Sequence, residues 1–132
     1  MKPSFSCEIE IRFADLDAYG HVNNAVFFTY LETARTKVFS KNFIDFMSSG
    51  LFFVVAKAEC EFKKPIVLED GAVTVDFTIE AMGRSSFNVV YRLSGPKGQL
   101  FALAQTVMVA LDAKRGTPTA MPQEIIDKLS GL

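Results

Sequence analysis

The sequence predicts one α+β domain over residues 1–132, in which a curled antiparallel sheet of five strands surrounds one long central helix. One strand pattern comes first, one long helical pattern follows, and four strand patterns then succeed one another without a long helix between them. Parallel strands need a crossover connection, usually a helix, so the last four strands should pair antiparallel. A hydrophobic content of 49% is enough for one sizeable core.

The first strand and the helix are predicted from the different spacing of their apolar residues. Apolar and polar side chains alternate strictly over residues 5–13, as in a half-buried strand whose apolar face includes Phe13. A loop with the sequence ADLDAYGHVNN follows, and a helix is predicted over residues 24–41 with Asn23 or Asn24 as its N-cap. Apolar residues cover more than one stripe of this helix, which favours a helix that the sheet wraps.

Four further strands and a short helix complete the prediction. Apolar and polar residues alternate again over residues 54–62, 73–81, 87–94 and about 100–112. Pro65 ends the first of these strands, the turn GPKG separates the last two, and EIIDKL predicts a short terminal helix. The absence of an internal repeat, a low-complexity tract or a linker supports a single domain.

Charge and cysteine content narrow the class of protein. The chain has 14 basic and 15 acidic residues, so it lacks the basic surface that nucleic acids or anionic membranes attract. Its first residues lack the apolar core of a signal peptide, and no run approaches the roughly 18 apolar residues of a membrane span. Cys7 and Cys60 fall on strand faces and are predicted to be reduced. We therefore expect a cytoplasmic protein without a nucleic-acid or membrane partner.

The loop before the helix carries the residues most suited to chemistry. Asp15 and Asp17 precede a helix N-terminus, where unpaired backbone amides point outward. A carboxylate beside such amides suits acyl transfer, because the amides stabilise an oxyanion while the carboxylate attacks or activates water. Either aspartate could instead only cap the loop. In the same way, His21 could orient the loop and Gly20 could supply a special backbone conformation.

Other kinds of site in this loop have less support from the sequence. A calcium loop starting at Asp15 would need oxygen ligands at its fifth and twelfth positions, which are Tyr19 and Val26. A phosphatase-like Asp-x-Asp belongs in a parallel α/β fold. His21 is the only histidine and no cysteine lies near it, so no metal site and no cofactor are expected. A Ser-His-Asp triad assembled through space remains open, although no GxSxG motif supports it.

The segment RFADLDAYGHVNNAVFFTYLETAR resembles the signature of the hot-dog acyl-CoA thioesterases related to 4-hydroxybenzoyl-CoA thioesterase. Its core, D-x-D-x-x-G-H-V-N-N, is most similar to the long-chain acyl-CoA thioesterase branch of that family. The order of elements, the EFKKPI segment and GRSSF between two strands agree with it. The resemblance implies a hot-dog fold and hydrolysis of a fatty or aromatic acyl-CoA to free acid and CoA.

The resemblance also implies roles for residues of the loop. Asp17 matches the catalytic carboxylate of the family, and the backbone N–H of Asn24 matches the amide that polarises the thioester carbonyl. Gly20 and His21 match loop positions that line the substrate site. Glu32 matches the catalytic position of a different hot-dog subgroup, but with the aspartate motif intact it is expected to be structural or supportive. A dehydratase on the same fold is disfavoured because His21 lies in the loop and no helix glutamate has a dehydratase-like spacing.

A second group of implied residues lies in the GRSSF segment. Arg84, Ser85 and Ser86 match positions that meet the coenzyme A phosphates across a subunit interface, which implies a homodimer or homotetramer. Arg84 could instead be a solvated turn residue. A non-catalytic protein that binds acyl-CoA or only assembles with a partner is the alternative function, and steady thiol release from acyl-CoA would exclude it. The acyl group is expected to meet aromatic residues, namely Phe27, Phe28, Tyr30, Phe52 and Phe53.

Overall fold

The computed structural model describes residues 4–47 and 50–131, with side chains for 4–40 and 50–130. The order of elements is the predicted one: a strand, a long helix, four strands and a short helix. Two single-turn 3-10 helices, Phe13–Asp15 and Leu68–Asp70, lie in the connections. The main elements are β1 (Ser4–Glu10), α1 (Asn24–Met47), β2 (Leu51–Phe62), β3 (Ala72–Met82), β4 (Ser86–Ser94), β5 (Leu100–Asp112) and α2 (Gln123–Gly131).

The five strands form one sheet in the order β1-β3-β4-β5-β2, and every neighbouring pair is antiparallel. The sheet curls around α1, which confirms the predicted hot-dog architecture. The strands on either side of α1 in the chain, β1 and β2, lie at opposite edges of the sheet. The helix therefore crosses the inner face of the sheet, where it packs against β1, β2 and β3.

Aromatic side chains dominate the core between α1 and the sheet. The ring of Phe77 on β3 lies 5.6 Å from Tyr91 on β4 and 6.3 Å from Phe39 on α1. Phe87, also fully buried, contacts Phe39 at 6.2 Å. Because side chains alternate across a strand, the inner face of β3 is apolar throughout. Its buried residues are Val73, Val75, Phe77 and Ile79.

Several predicted boundaries are wrong for physical reasons. The strand predicted over 5–13 ends at Glu10, and Phe13 is 80% exposed in the 3-10 turn instead of buried on a strand face. The turn forms because the chain bends to bring Asp15 into the interior. The helix predicted over 24–41 continues to Met47, since no glycine or proline stops it before Gly50.

The edge strand β2 also differs from its predicted alternation. It begins at Leu51, three residues before the predicted start at position 54, and its register with β5 shifts between Val55 and Lys57. Such a bulge adds one residue to a strand and exchanges the faces that the following side chains occupy. Much of the strand is exposed, and Phe62 at its end retains 42% of its accessible surface.

The register separates the two segments that the sequence analysis singled out. Glu10 pairs with Ala72 at one end of β3, whereas Met82 and the turn 83–85 lie at its other end. Eleven residues at about 3.3 Å each make β3 about 36 Å long. The loop after β1 and the GRSSF turn are therefore at opposite ends of the sheet. No helix in the described part of the chain is long and apolar enough to cross a membrane.

Candidate active site

The loop between β1 and α1 is a closed turn. Leu16 and Val22 form an antiparallel bridge, the Asp17 N–H donates to the His21 carbonyl at 2.8 Å, and the Gly20 N–H donates to the Asp17 carbonyl at 3.1 Å. Gly20 has φ +78, a left-handed conformation that side chains with a Cβ adopt at a cost. Gly20 is thus explained by the backbone of the turn, which holds Asp17 at its first position.

The Asp17 carboxylate is half-buried and is oriented by the same turn. Its Oδ1 accepts hydrogen bonds from the Tyr19 N–H at 2.8 Å and from the His21 N–H at 3.3 Å. Among the described residues, none donates to Oδ2. One carboxylate oxygen is therefore held by the backbone, and the other is available to a ligand.

Asp15 has the opposite environment. Its side chain is 1% exposed, and its Oδ2 accepts hydrogen bonds from the Tyr30 hydroxyl at 2.8 Å and the Arg12 N–H at 3.0 Å. Its Oδ1 accepts two more from the Arg12 guanidinium, at 2.8 and 3.1 Å. Its backbone carbonyl accepts from the Asn23 N–H at 2.9 Å. Asp15 thus joins the end of β1, the body of α1 and the residue that precedes α1.

These contacts shift the pKa values of both buried partners. Burial alone would raise the pKa of Asp15, but the hydrogen bonds from Arg12 and Tyr30 outweigh it and lower that pKa below its ordinary 3.8. Burial, together with the hydrogen bond to Asp15, raises the pKa of Tyr30. Asp15 is therefore ionised and Tyr30 protonated at neutral pH, which is the pairing that their hydrogen bond requires.

The N-terminus of α1 faces the same loop. The Asn23 side-chain oxygen accepts from the Ala25 N–H at 2.9 Å, and the Asn23 carbonyl accepts from the Val26 N–H at 2.8 Å. Asn23 is therefore the N-cap, one of the two alternatives that the sequence left open. The Asn24 N–H finds no acceptor within the described ranges. A helix N-terminus with a free N–H binds and stabilises negative charge.

Asp17 and Asn24 line one cavity of about 250 Å³. Its wall combines the turn, the first residues of α1 and the segment after β2, whose Lys63 and Lys64 N–H groups both donate to the Phe101 carbonyl. The cavity therefore joins a carboxylate, a helix amide and two lysines at one end of the sheet. The lining residues are Asp17, His21, Val22, Asn24, Phe27, Phe62, Lys63, Lys64 and Pro65.

The GRSSF turn lies far from this cavity and is tied to the C-terminal segment. The Ser85 carbonyl accepts from the Ala110 N–H at 2.8 Å, and the Arg84 carbonyl accepts from the Met121 N–H at 2.9 Å. The Arg84 side chain is exposed, while Ser85 and Ser86 are half-buried. Within one chain, the 11 residues of β3 lie between the end of the sheet that carries Asp17 and the end that carries these three residues. The structure therefore does not bring these three residues to the loop cavity of their own chain.

The aromatic residues expected around the acyl group are divided. Phe27 lines the loop cavity, Phe28 lines a second cavity, and Phe52 and Phe53 line a third. Tyr30 is instead buried and bonded to Asp15, so its expected place in an acyl pocket is wrong. Its role could have been inferred only from a partner 15 positions away in the sequence. The described residues contain no group of three or more His, Cys, Asp or Glu that could hold a metal ion.

Comparison with known proteins identifies the class to which this fold and site belong. The family model of the thioesterase-like superfamily matches residues 11–129, so the chain belongs to that superfamily, and the thioesterase class predicted from the sequence is confirmed.

Individual relatives cover nearly the whole chain. It is 30% identical over 124 residues to the long-chain acyl-CoA thioesterase FadM of Escherichia coli, which covers 92% of this chain and 94% of that protein. It is 27% identical over 124 residues to a 1,4-dihydroxy-2-naphthoyl-CoA hydrolase of Synechococcus elongatus, with 90% of each covered. A thioesterase of Thermus thermophilus, determined with coenzyme A and zinc, superposes with a TM-score of 0.83 at 34% identity, over 95% of this chain and 90% of that one.

The buried charge of Asp15 predicts a pH-dependent stability. Asp15→Asn should lower the free energy of unfolding at pH 7 by about 2 kcal/mol, because a hydrogen-bonded buried carboxylate is replaced by an amide. The pKa of Asp15 is lowered in the folded state, so its contribution is present above pH 3.8 and is lost as the pH falls. Urea titrations from pH 7 to pH 3 should therefore show the gap between wild type and variant closing. The exposed Asp127→Asn is the matched control, and a gap that stays constant over this range would contradict the assignment.

Proposed function

We propose that this protein hydrolyses a fatty or aromatic acyl-CoA to the free acid and coenzyme A, with Asp17 as the catalytic carboxylate. The observation that carries the proposal is the loop cavity, which is lined by both the half-buried Asp17 carboxylate and the N-terminus of α1. Among the residues that the structure describes, one oxygen of that carboxylate and the Asn24 N–H have no hydrogen-bond partner. Membership of the thioesterase-like superfamily supports acyl-CoA hydrolysis in general. The named relatives act on both a long-chain and an aromatic acyl-CoA, which is why both classes remain in the proposal.

The proposed chemistry divides the work between the carboxylate and the helix. The thioester carbonyl oxygen accepts a hydrogen bond from the Asn24 N–H, whose helix partial charge stabilises the oxyanion as it forms. Asp17 either takes a proton from the attacking water or attacks the acyl carbon itself, and in the second route water hydrolyses the mixed anhydride. In both routes the C–S bond breaks and coenzyme A leaves as its thiol. The His21 N–H orients the Asp17 carboxylate, and His21 lines the same cavity.

Removal of the Asp17 charge tests the catalytic assignment. Asp17→Asn should keep the loop closed, because the amide oxygen still accepts from the Tyr19 N–H, but kcat should fall by about 10²–10⁴-fold. Thiol release from a panel of acyl-CoAs measures it, and the surface variant Asp127→Asn serves as the matched control. Asp15→Asn should lose less activity than Asp17→Asn, even though it is less stable. Wild-type kcat in Asp17→Asn, or the reverse ranking, would move the catalytic role elsewhere.

We further propose that the active form is a homodimer or a homotetramer built from two dimers, with coenzyme A bound between two subunits. Within one chain Asp17 and Arg84 lie at opposite ends of β3, a strand of 11 residues, so we propose that a second subunit supplies the Arg84 that meets the phosphates of a thioester at Asp17. The edge strand β2 supports association, because Val55 and Phe62 expose 41% and 42% of their surface on it. Ser85 and Ser86 would add hydroxyl donors beside Arg84.

Arg84 should contribute to binding and not to chemistry. Arg84→Ala should raise KM for acyl-CoA by about ten-fold with kcat little changed, because a charge-assisted contact with a phosphate is worth about 1.5–3 kcal/mol. An acyl-pantetheine lacks the nucleotide phosphates, so wild type and variant should hydrolyse it equally. Arg92→Ala, which removes an exposed arginine from β4, is the matched variant. If Arg84→Ala impairs both substrates alike or neither, Arg84 is a turn residue and Lys63 and Lys64 become the candidates.

A mixing experiment tests whether the site is shared. Asp17→Asn and Arg84→Ala chains are unfolded together and refolded, then assayed below KM. In a two-fold symmetric dimer, half of the random pairs are mixed and each mixed pair has one intact site, so about a quarter of wild-type activity should return. If each site belonged to a single chain, the mixed pairs would have no intact site. Activity no higher than the average of the two separate variants would then overturn the shared site.

A further inference from the structure

A second cavity system lies away from the loop, between α1 and the edge strand β2. One cavity of about 270 Å³ is bounded by Phe28 and Leu31 on α1 and by Ala58 on β2. The next, of about 440 Å³, is bounded by Phe39 on α1 and by Phe53 on β2. Both cavities share Glu32, Arg35 and Val55 in their walls, so they adjoin at that level of the helix. The path between the two elements is mostly apolar.

Arg35 is the buried cation among the residues that line these two cavities. Its side chain is only 8% exposed, yet no carboxylate within the described ranges lies at ion-pair distance from it. Its Nη1 donates to the Tyr91 hydroxyl at 3.1 Å, and that hydroxyl shares a hydrogen bond of 2.6 Å with Thr106. Among the described side chains, the Tyr91 hydroxyl holds one edge of the guanidinium, and no carboxylate pairs with it. A buried cation without a counter-ion is unfavourable, so a ligand anion at this point would be strongly held.

The position of Arg35 relates it to the proposed reaction. It lies eleven positions after Asn24 on the same helix, which is about 16 Å at about 1.5 Å per residue. A thioester held at the Asn24 N–H would therefore need a long acyl chain to reach it. Phe27 on α1 and Phe62 on β2 line the loop cavity with their rings in edge contact at 4.9 Å, and Phe28 and Ala58 line the first cavity of the cleft. A chain that reaches Arg35 from Asn24 therefore passes beside these two rings.

We infer that the α1–β2 cleft is a subsite for the far end of the acyl chain, and that Arg35 binds a carboxylate carried there. The favoured substrate class is then the long-chain dicarboxylic acyl-CoA, with one carboxyl as the thioester and the other free. This inference rests on the proposed function, because it takes Asn24 as the position of the thioester. Glu32 lines both cavities and opposes a second carboxylate, but it is exposed, so solvent screens its charge.

A matched pair of substrates tests this directly. Wild type is assayed for thiol release from dodecanoyl-CoA and from dodecanedioyl-CoA, which differ only in the terminal carboxylate. The kcat/KM for the diacid thioester should be higher by about ten-fold, as expected for one charge-assisted contact. In Arg35→Gln, this ratio should fall to about one, while Arg35→Lys should keep most of it. Glu32→Gln should raise the ratio, since it removes a like charge from the cavity rim.

The controls separate the subsite from the proposed function. Lys37→Gln removes an exposed cation two positions away on α1 and should leave the ratio unchanged. Binding of free dodecanedioate and dodecanoate is also measured by calorimetry, which does not depend on hydrolysis. If neither thioester is hydrolysed but wild type binds the diacid more tightly than Arg35→Gln does, the subsite holds and the proposed function fails.

Other outcomes overturn the subsite. If both thioesters are hydrolysed at equal kcat/KM, the proposed function survives and the subsite is wrong. A second copy of the chain that covers the cleft would give this result. If Lys37→Gln lowers the ratio as much as Arg35→Gln does, any positive charge on this part of α1 favours the diacid thioester, and a specific subsite at Arg35 is wrong. Thermal unfolding of each variant confirms that it is folded. If Arg35→Gln does not fold, the wild-type ratio and its rise in Glu32→Gln decide the question.

Discussion

The placement of the loop and of the helix start depends on the hydrogen bonds of the buried Asp15. Its oxygens bind Arg12 at the end of β1 and Tyr30 inside α1, and its backbone carbonyl binds the residue before that helix. The strand end, the loop and the helix start are thus held together by one residue. Because a buried charge is stable only when its partners are present, a different placement of any of these segments would leave an unpaired carboxylate. The position of the Asn24 amide relative to the loop follows from this constraint.

The two aspartates, only two positions apart, have opposite environments. Asp15 lies inside and is fully bonded, whereas Asp17 lies at the first position of the turn with one oxygen unbonded within the described chain. The intervening Leu16 and the bridge to Val22 turn the backbone so that the second carboxylate faces the cavity. A rigid loop of this kind can hold a carboxylate beside a helix N–H before substrate arrives. Preorganisation of this sort is what electrostatic stabilisation of an oxyanion requires.

The sheet holds the two groups of candidate site residues at its opposite ends. One end carries Asp17, Asn24 and the two lysines after β2, and the other carries the turn with Arg84. Between them the cleft of α1 and β2 runs past the buried guanidinium of Arg35. A curved sheet has edge strands, and here the edge next to the cleft is also the one with exposed apolar side chains. The same architecture that wraps one helix therefore leaves room for a long ligand and for a second subunit.

Local patterns in the sequence determined the five strands, the helix start at Asn23–Asn24 and the loop in which Asp17 lies, because period and capping depend on residues near in the chain. Tertiary contacts decided the rest. The burial of Asp15 ended β1 early and exposed Phe13, and the pairing of β2 with β5 introduced a bulge that no alternation predicts. Arg35 meets Tyr91 across 56 positions, and Arg84 lies a full strand length from Asp17. These facts depend on register and packing between distant segments, and only the folded chain fixes which distant residues meet.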